Sequence, residues 1–164
     1  MFGARTRPFA PRRPSGGPGM SLPPGRARPE PTPETKHFWD GARDGKLILQ
    51  RCGDTGRAYF PPRPFSPFTG TRDVEAFEAS GRAKLYSYVI HHRPVPGFTP
   101  PYAIAVVELE EGPRMMTNIV DCPQTPEALV LDMPLVVAFT PMDEEISLPL
   151  FRPADGAANG EGGR

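Results

Sequence analysis

The chain has 164 residues and 38% hydrophobic content, enough for one ordinary domain with a core and a small appendage. Its 19 basic and 19 acidic side chains cancel, no stretch approaches the roughly 20 apolar residues of a membrane span, and the arginine-bearing start lacks the apolar run of a secretory signal. Two cysteines, Cys52 and Cys122, make no disulfide framework, so a cytoplasmic, reducing compartment is expected.

Residues 1–35 hold nine of the 24 prolines, six arginines and only two acids, Glu30 and Glu34. Almost nothing there can form a core, so residues 1–33 are expected to be a disordered, extended tail, either a solvated linker or a basic docking arm. The C-terminal "ADGAANGEGGR" makes 153–164 a second disordered tail. From Lys36 to Arg152 the count is 12 basic against 15 acidic residues, a net of −3. That balance argues against a nucleic-acid-binding module, because a phosphate backbone selects a basic face.

"TPETKHFWDGARDGK" predicts a helix within 34–46, with Thr32 as N-cap, Pro33 in the first turn, Glu34 at the positive end of the dipole and Gly45 as the stop. Phe38 and Ala42 share one face, with Trp39 beside them, and a helix this short must dock to persist. "KLILQRC" and "RAYF" predict a hairpin inside a module spanning 47–73. From 74 to 152 the pattern is β throughout. "DVEAFEA" is a short strand, and "AKLYSYVIHH" a long one with Tyr86, Tyr88 and Ile90 on one face. "YAIAVVELE", "RMMTNIV", "PLVVAFT" and "ISLPLF" follow, and Met115 and Met116 fall on opposite faces. The expected class is mainly β, and so many short strands suit a five-stranded OB barrel.

"CGDTG" and "SPFTG" are turns that both end in Thr-Gly, and Cys52, Thr55, Ser66 and Thr69 stand at x2, x10 and x2 spacing. That is the spacing of the four ligands in a zinc ribbon, whose knuckle glycines allow the backbone to curl round the metal; an accidental spacing in a proline-rich loop is the other reading. One thiol and three neutral hydroxyls are a poor donor set, so zinc is not expected. Hydroxyl-to-amide hydrogen bonds and the aromatics Tyr59, Phe60, Phe65 and Phe68 are expected to hold the module instead.

His91 and His92 have no nucleophile near them in sequence, and Cys122 has no motif around it, so no catalytic residue is assigned. The loop "HHRPVPGFTPPY" is stiffened by prolines and carries Phe98 and Tyr102. It is either an ordinary strand connection, or a wall of an acyl-chain tunnel or a contact with a partner.

The pieces "FWDGARDGKLILQRC", "GRAYFPPRPFSPFTG", "GRAKLYSYVIHHRPVPGFTPPYAIAVVELEEGPRMMTNIVDC" and "MPLVVAFT", in this order over 36–152, resemble the small acyl-CoA-associated proteins with an N-terminal helix, a rubredoxin-like zinc ribbon and a C-terminal OB-fold. The sequence departs from that family at Thr55, Ser66 and Thr69, where cysteine is usual. The resemblance implies a non-catalytic accessory subunit of a thiolase-fold enzyme. That complex makes or breaks a C–C bond on an acyl-CoA, as in thiolysis or retro-aldol degradation of lipid, aromatic or steroid substrates. Two copies of each chain are implied, with no tightly bound cofactor, no nucleic acid and no membrane. His92, Phe98 and Tyr102 would line the acyl-CoA channel or touch the partner, and the ribbon with the Phe38/Trp39 helix would pack on the enzyme. The alternatives are an OB-type nucleic-acid binder and a stand-alone acyl-CoA-binding protein.

Overall fold

The computed structural model describes residues 22–154. The expectations for residues 1–21 and 155–164 lie outside that range. Among the described residues one helix, α1 (Lys36–Arg43), precedes eight strands. Its N-cap is Thr35 rather than Thr32, and the Thr35 hydroxyl caps no helix amide. It turns back instead, accepting from the Thr32 backbone N–H at 2.9 Å, which closes a tight turn around Pro33.

Strand β1 (Ile48–Cys52) lies between β2 (Ala58–Tyr59) and β3 (Val74–Glu78) in a three-stranded antiparallel sheet. The barrel therefore does not begin at 74 as expected. Strand β3 runs from Val74 opposite Cys52 to Glu78 opposite Ile48, filling the edge of β1 that the two-residue β2 leaves open. A central strand needs both edges satisfied, and no periodicity in "DVEAFEA" says which sheet will take it.

The barrel is built from β4 (Arg82–His91), β5 (Tyr102–Leu109), β6 (Arg114–Asn118), β7 (Pro134–Pro141) and β8 (Ser147–Pro153), in the order β6-β5-β4-β7-β8. Closure comes where Ile119 bridges Phe151 in parallel and the Val120 N–H donates to the Phe151 carbonyl at 2.8 Å. This is the nearly closed five-stranded Greek-key barrel of the OB type. Strand β5 alternates cleanly, with Ala103, Ala105, Val107 and Leu109 buried. These meet Leu85, Met115, Leu135 and Phe151 in a core that also takes Phe38 from the helix and Leu47 and Leu49 beside it. As expected, Met115 is buried while Met116 is 71% exposed.

Strand β4 does not hold one phase. A bulge at Tyr86 interrupts its pairing with β5, so Leu85 faces Val107 while Ser87 faces Val106. Before the bulge Leu85 is inward, and after it Tyr88 and Ile90 are. Tyr86, expected on the same face as Tyr88, turns outward, and the Arg114 guanidinium sits 3.5 Å from its ring centre.

Candidate functional site

The two ribbon turns have kept one hydrogen-bond plan. The Cys52 N–H donates to the Arg57 carbonyl at 3.0 Å and the Ser66 N–H to the Thr71 carbonyl at 2.8 Å. The Gly56 N–H donates to the Cys52 carbonyl at 2.7 Å and the Gly70 N–H to the Ser66 carbonyl at 2.9 Å. Both glycines have positive φ, 67° and 73°, which a side chain would strain. The structure thus brings Cys52, Thr55, Ser66 and Thr69 together as the spacing predicts.

Their chemistry does not suit zinc. Among the described residues no group of three His, Cys, Asp or Glu side chains is placed to hold a metal, and three of the four ligand positions are hydroxyls. The hydroxyls are already engaged. Ser66 Oγ accepts from the amides of Phe68 and Thr69 at 3.2 and 3.3 Å, the place a thiolate takes in a metal knuckle. Across the gap, Thr69 and Thr71 both donate to Asp54 Oδ2, at 3.2 and 2.9 Å. Asp54 belongs to the first turn and the two threonines to the second, so a carboxylate joins the halves that a metal would join.

Cys52 lies in this network with no exposed surface, and its Sγ is 3.7 Å from Thr69 Oγ1. Hydrogen bonds from Ser66 first, then Thr55, outweigh burial and hold its thiol down from 9.0 to about 7. A depressed acid stabilises the fold above its unfolded pKa and loses that contribution as pH falls through the folded one. Thermal melts from about pH 6 to about pH 10 are therefore expected to show wild type gaining on Cys52→Ser between 7 and 9.0. A constant difference between the two would show that the thiol stays protonated.

The second feature is a cleft on the barrel face, walled by β6, β8, the helix and Phe98 of the β4–β5 loop. Residues 22–33, expected to be part of a disordered tail, whether solvated linker or basic docking arm, lie over it as a strap. The Gly97 N–H donates to the Pro24 carbonyl at 3.0 Å, and a Cβ at Gly97 would stand 2.3 Å from Arg26 Cα. Arg28 pairs with Asp143 at 2.6 Å and Glu145 at 2.7 Å, fastening the strap to the acidic turn. Composition gave no hint of this, because the strap is held by a few long-range polar contacts and by Leu22, which packs on Ile146, Leu148 and Leu150.

Under the strap, Arg26 Nη2 donates to Asn118 Oδ1 at 2.7 Å and its guanidinium lies 4.3 Å from the Phe98 ring centre. Phe98 stacks on Tyr102 with centroids 4.5 Å apart. The structure so brings two of the three expected channel residues together. The third, His92, is exposed and outside the cluster; His91 takes the position against Tyr102, at 5.2 Å. Arg26 escaped sequence reasoning altogether, since "GRARPE" reads as tail. Cys122 is half-buried, burial pushes its thiol up, and its side-chain neighbour is the Gln124 amide at 3.8 Å, with no histidine in reach among the described residues. Trp39, expected to face a partner, packs edge-on against buried Phe38 at 5.0 Å and lines the cleft. The exposed aromatics of the ribbon are instead Phe65 and Phe68, each under an arginine, Arg72 at 4.8 Å and Arg57 at 3.9 Å. No helix among the described residues is long and apolar enough to cross a membrane.

Comparison with known proteins finds two matching family models, the "ChsH2, rubredoxin-like zinc ribbon domain" over residues 39–66 and the "ChsH2, C-terminal OB-fold domain" over 77–140. The chain is 38% identical over 130 residues to the probable enoyl-CoA hydratase alpha subunit of Thermomonospora curvata, matching 79% of its own length and 40% of that protein's. It is 36% identical over 102 residues to a DUF35 domain-containing scaffold protein of Methanocaldococcus jannaschii, covering 60% of this chain and 71% of the relative. Among solved structures it resembles the Ltp2-ChsH2(DUF35) aldolase with a TM-score of 0.68 and 37% identity, over 77% of this chain and 98% of that one.

Proposed function

The chain belongs to the DUF35 family of ChsH2-type zinc-ribbon and OB-fold proteins, and from that premise we propose that it is the non-catalytic accessory subunit of a thiolase-like enzyme acting on acyl-CoA. The observation that carries this reading is the match to nearly the whole length, 98%, of a chain whose structure is that of an aldolase named with its partner. The scaffold description of the archaeal relative supports a supporting rather than a catalytic part. In this reading the partner supplies the nucleophile and makes or breaks a C–C bond, two copies of each chain assemble, and the complex works in the cytoplasm. The ribbon holds no zinc and keeps its outline because the outline is a contact surface. The barrel cleft with Phe98 and Tyr102 faces the acyl-CoA.

Phe65 and Phe68 are the anchors to test. Each is an exposed aromatic beneath an arginine, and large aromatics and arginine dominate the centres of interfaces. Tagged chain expressed in its native host is expected to copurify with a thiolase-like enzyme, and light scattering should give the mass of two of each. Phe65→Ala is expected to weaken assembly by roughly 2 kcal/mol, about thirtyfold in affinity, with unchanged circular dichroism. Copurification with no such enzyme, or turnover of acyl-CoA by the isolated chain, overturns the reading.

A further inference from the structure

The strap carries two arginines with different fates. Arg28 is exposed and has two carboxylates. Arg26, two residues earlier, is half-buried in the cleft, and among the described residues it pairs with no carboxylate. Its polar partner is a neutral amide and its flat face rests on Phe98. A cation taken part-way out of water without a counter-ion is costly, and burial here pushes its pKa down.

The amide is held in place. Asn118 Nδ2 donates to the Ala103 carbonyl at 2.7 Å, so its Oδ1 is turned toward Arg26. Two cavities meet at this point, of about 380 and about 330 Å³, and Arg26, Phe98, Asn118 and Leu150 line both. These volumes fall at the lower end of the ligand-pocket range. The larger cavity is walled by Phe38, Trp39, Phe60, Met115 and Leu148, and no acid lines it. The smaller one includes Asp121 in its lining, whose carboxylate would repel an anion's approach from that side. The cleft also lies on a face that OB barrels use for ligands, that of the second and third barrel strands, β5 and β6, beside the first barrel loop with Phe98.

We propose that this cleft binds an anionic amphiphile, with Arg26 as counter-ion to the head group and the cavity around Trp39 and Met115 receiving the alkyl body. Acyl carboxylates and the phosphates of acyl-CoA both belong to that class. Only the identity of the natural ligand rests on the function proposed above; the site itself does not.

Trp39 is the chain's single tryptophan and lines the larger cavity, so its emission reports occupancy. Full-length protein is titrated with octanoate, octyl phosphate, octanol and octylammonium, all below their micelle concentrations. Both anions, or one of them, should bind about tenfold more tightly than octanol, and octylammonium most weakly. The tighter of the two anions identifies the head group as carboxylate or phosphate. Arg26→Gln should bring the anions down to octanol while octanol itself is unchanged, and Arg26→Lys should keep the preference. Gly97→Ala, which drives a methyl into the Arg26 backbone, should abolish the preference with the arginine still present. Equal binding of octanoate, octyl phosphate and octanol by wild type, or an anion preference that survives Arg26→Gln, overturns the proposal. The titration uses the isolated chain, so copurification without an enzyme partner neither supports nor sinks it.

Discussion

Wild-type protein is expected to hold far less than one zinc per chain, whereas Thr55→Cys, Ser66→Cys and Thr69→Cys combined should convert the ribbon into a tight zinc site. The backbone for such a site is present. Both turns keep the paired carbonyl-to-amide bonds and the left-handed glycines, and the four side chains converge. What is missing is donor chemistry, one thiol against the four thiolate or imidazole ligands that a structural zinc takes. Structural zinc sites bind with apparent free energies of about 10–16 kcal/mol near neutral pH, so restoring the donors should outweigh the effect of any single core truncation. Cobalt titration should give thiolate charge-transfer absorption in the triple variant alone. Chelator should lower the melting temperature of the metal-loaded variant and leave wild type where it was. One equivalent of zinc found in wild type after dialysis against chelator would show that the Asp54–Thr69–Thr71 link is not what joins the two turns.

The second large effect is expected from Phe38→Ala, a loss of roughly 3–5 kcal/mol, which is a substantial part of the 5–15 kcal/mol that holds a typical domain. Phe38 is 4% exposed and touches three parts of the molecule. It packs on Trp39 in its own helix at 5.0 Å, on Phe60 of the ribbon at 5.3 Å, and on the barrel core. A helix of eight residues does not persist alone, so its one deeply buried aromatic decides whether it stays docked. Urea unfolding should show the midpoint fall sharply, with Trp39 emission shifting red before the transition as the helix leaves the barrel. Phe65→Ala serves as the contrast, because an exposed ring should change stability by no more than about 0.5 kcal/mol. A Phe38→Ala midpoint within that same margin would mean that the helix contributes nothing to the core.

Much of the site can be traced to particular residues read in order. The x2, x10, x2 spacing and the two Thr-Gly endings give the pair of knuckles, because the geometry of a tight turn is set by three or four consecutive residues. The alternation in "YAIAVVELE" gives β5 and its buried alanines, because a strand's two faces are fixed by its own period. The three hydroxyls at ligand positions give the mismatch with zinc directly. Phe98 and Tyr102 were visible as apolar bulk on a stiff loop.

Other features depended on what the rest of the chain offered. Strand β3 joined the ribbon because β1 had an unpaired edge, a fact about a distant strand and not about "DVEAFEA". The phase of β4 changed at Tyr86 because one extra residue is accommodated against β5, which moved Tyr86 out and set His91 opposite Tyr102, where an unbroken register would have set Ile90. The strap was fixed by Arg28 reaching Asp143 and Glu145, 115 and 117 residues along the chain, and by the close approach at Gly97. Composition describes whether a segment can build its own core; it carries no information on whether a formed barrel presents a groove and two acids that fit it. The sequence by itself therefore determined the knuckles, the strand faces and the donor set, all of them set by neighbours within a few residues. Only the tertiary structure decided the sheet of β3, the turn of Tyr86 and the placing of Arg26, because each depends on an edge, a register or a surface that exists only once the barrel has closed.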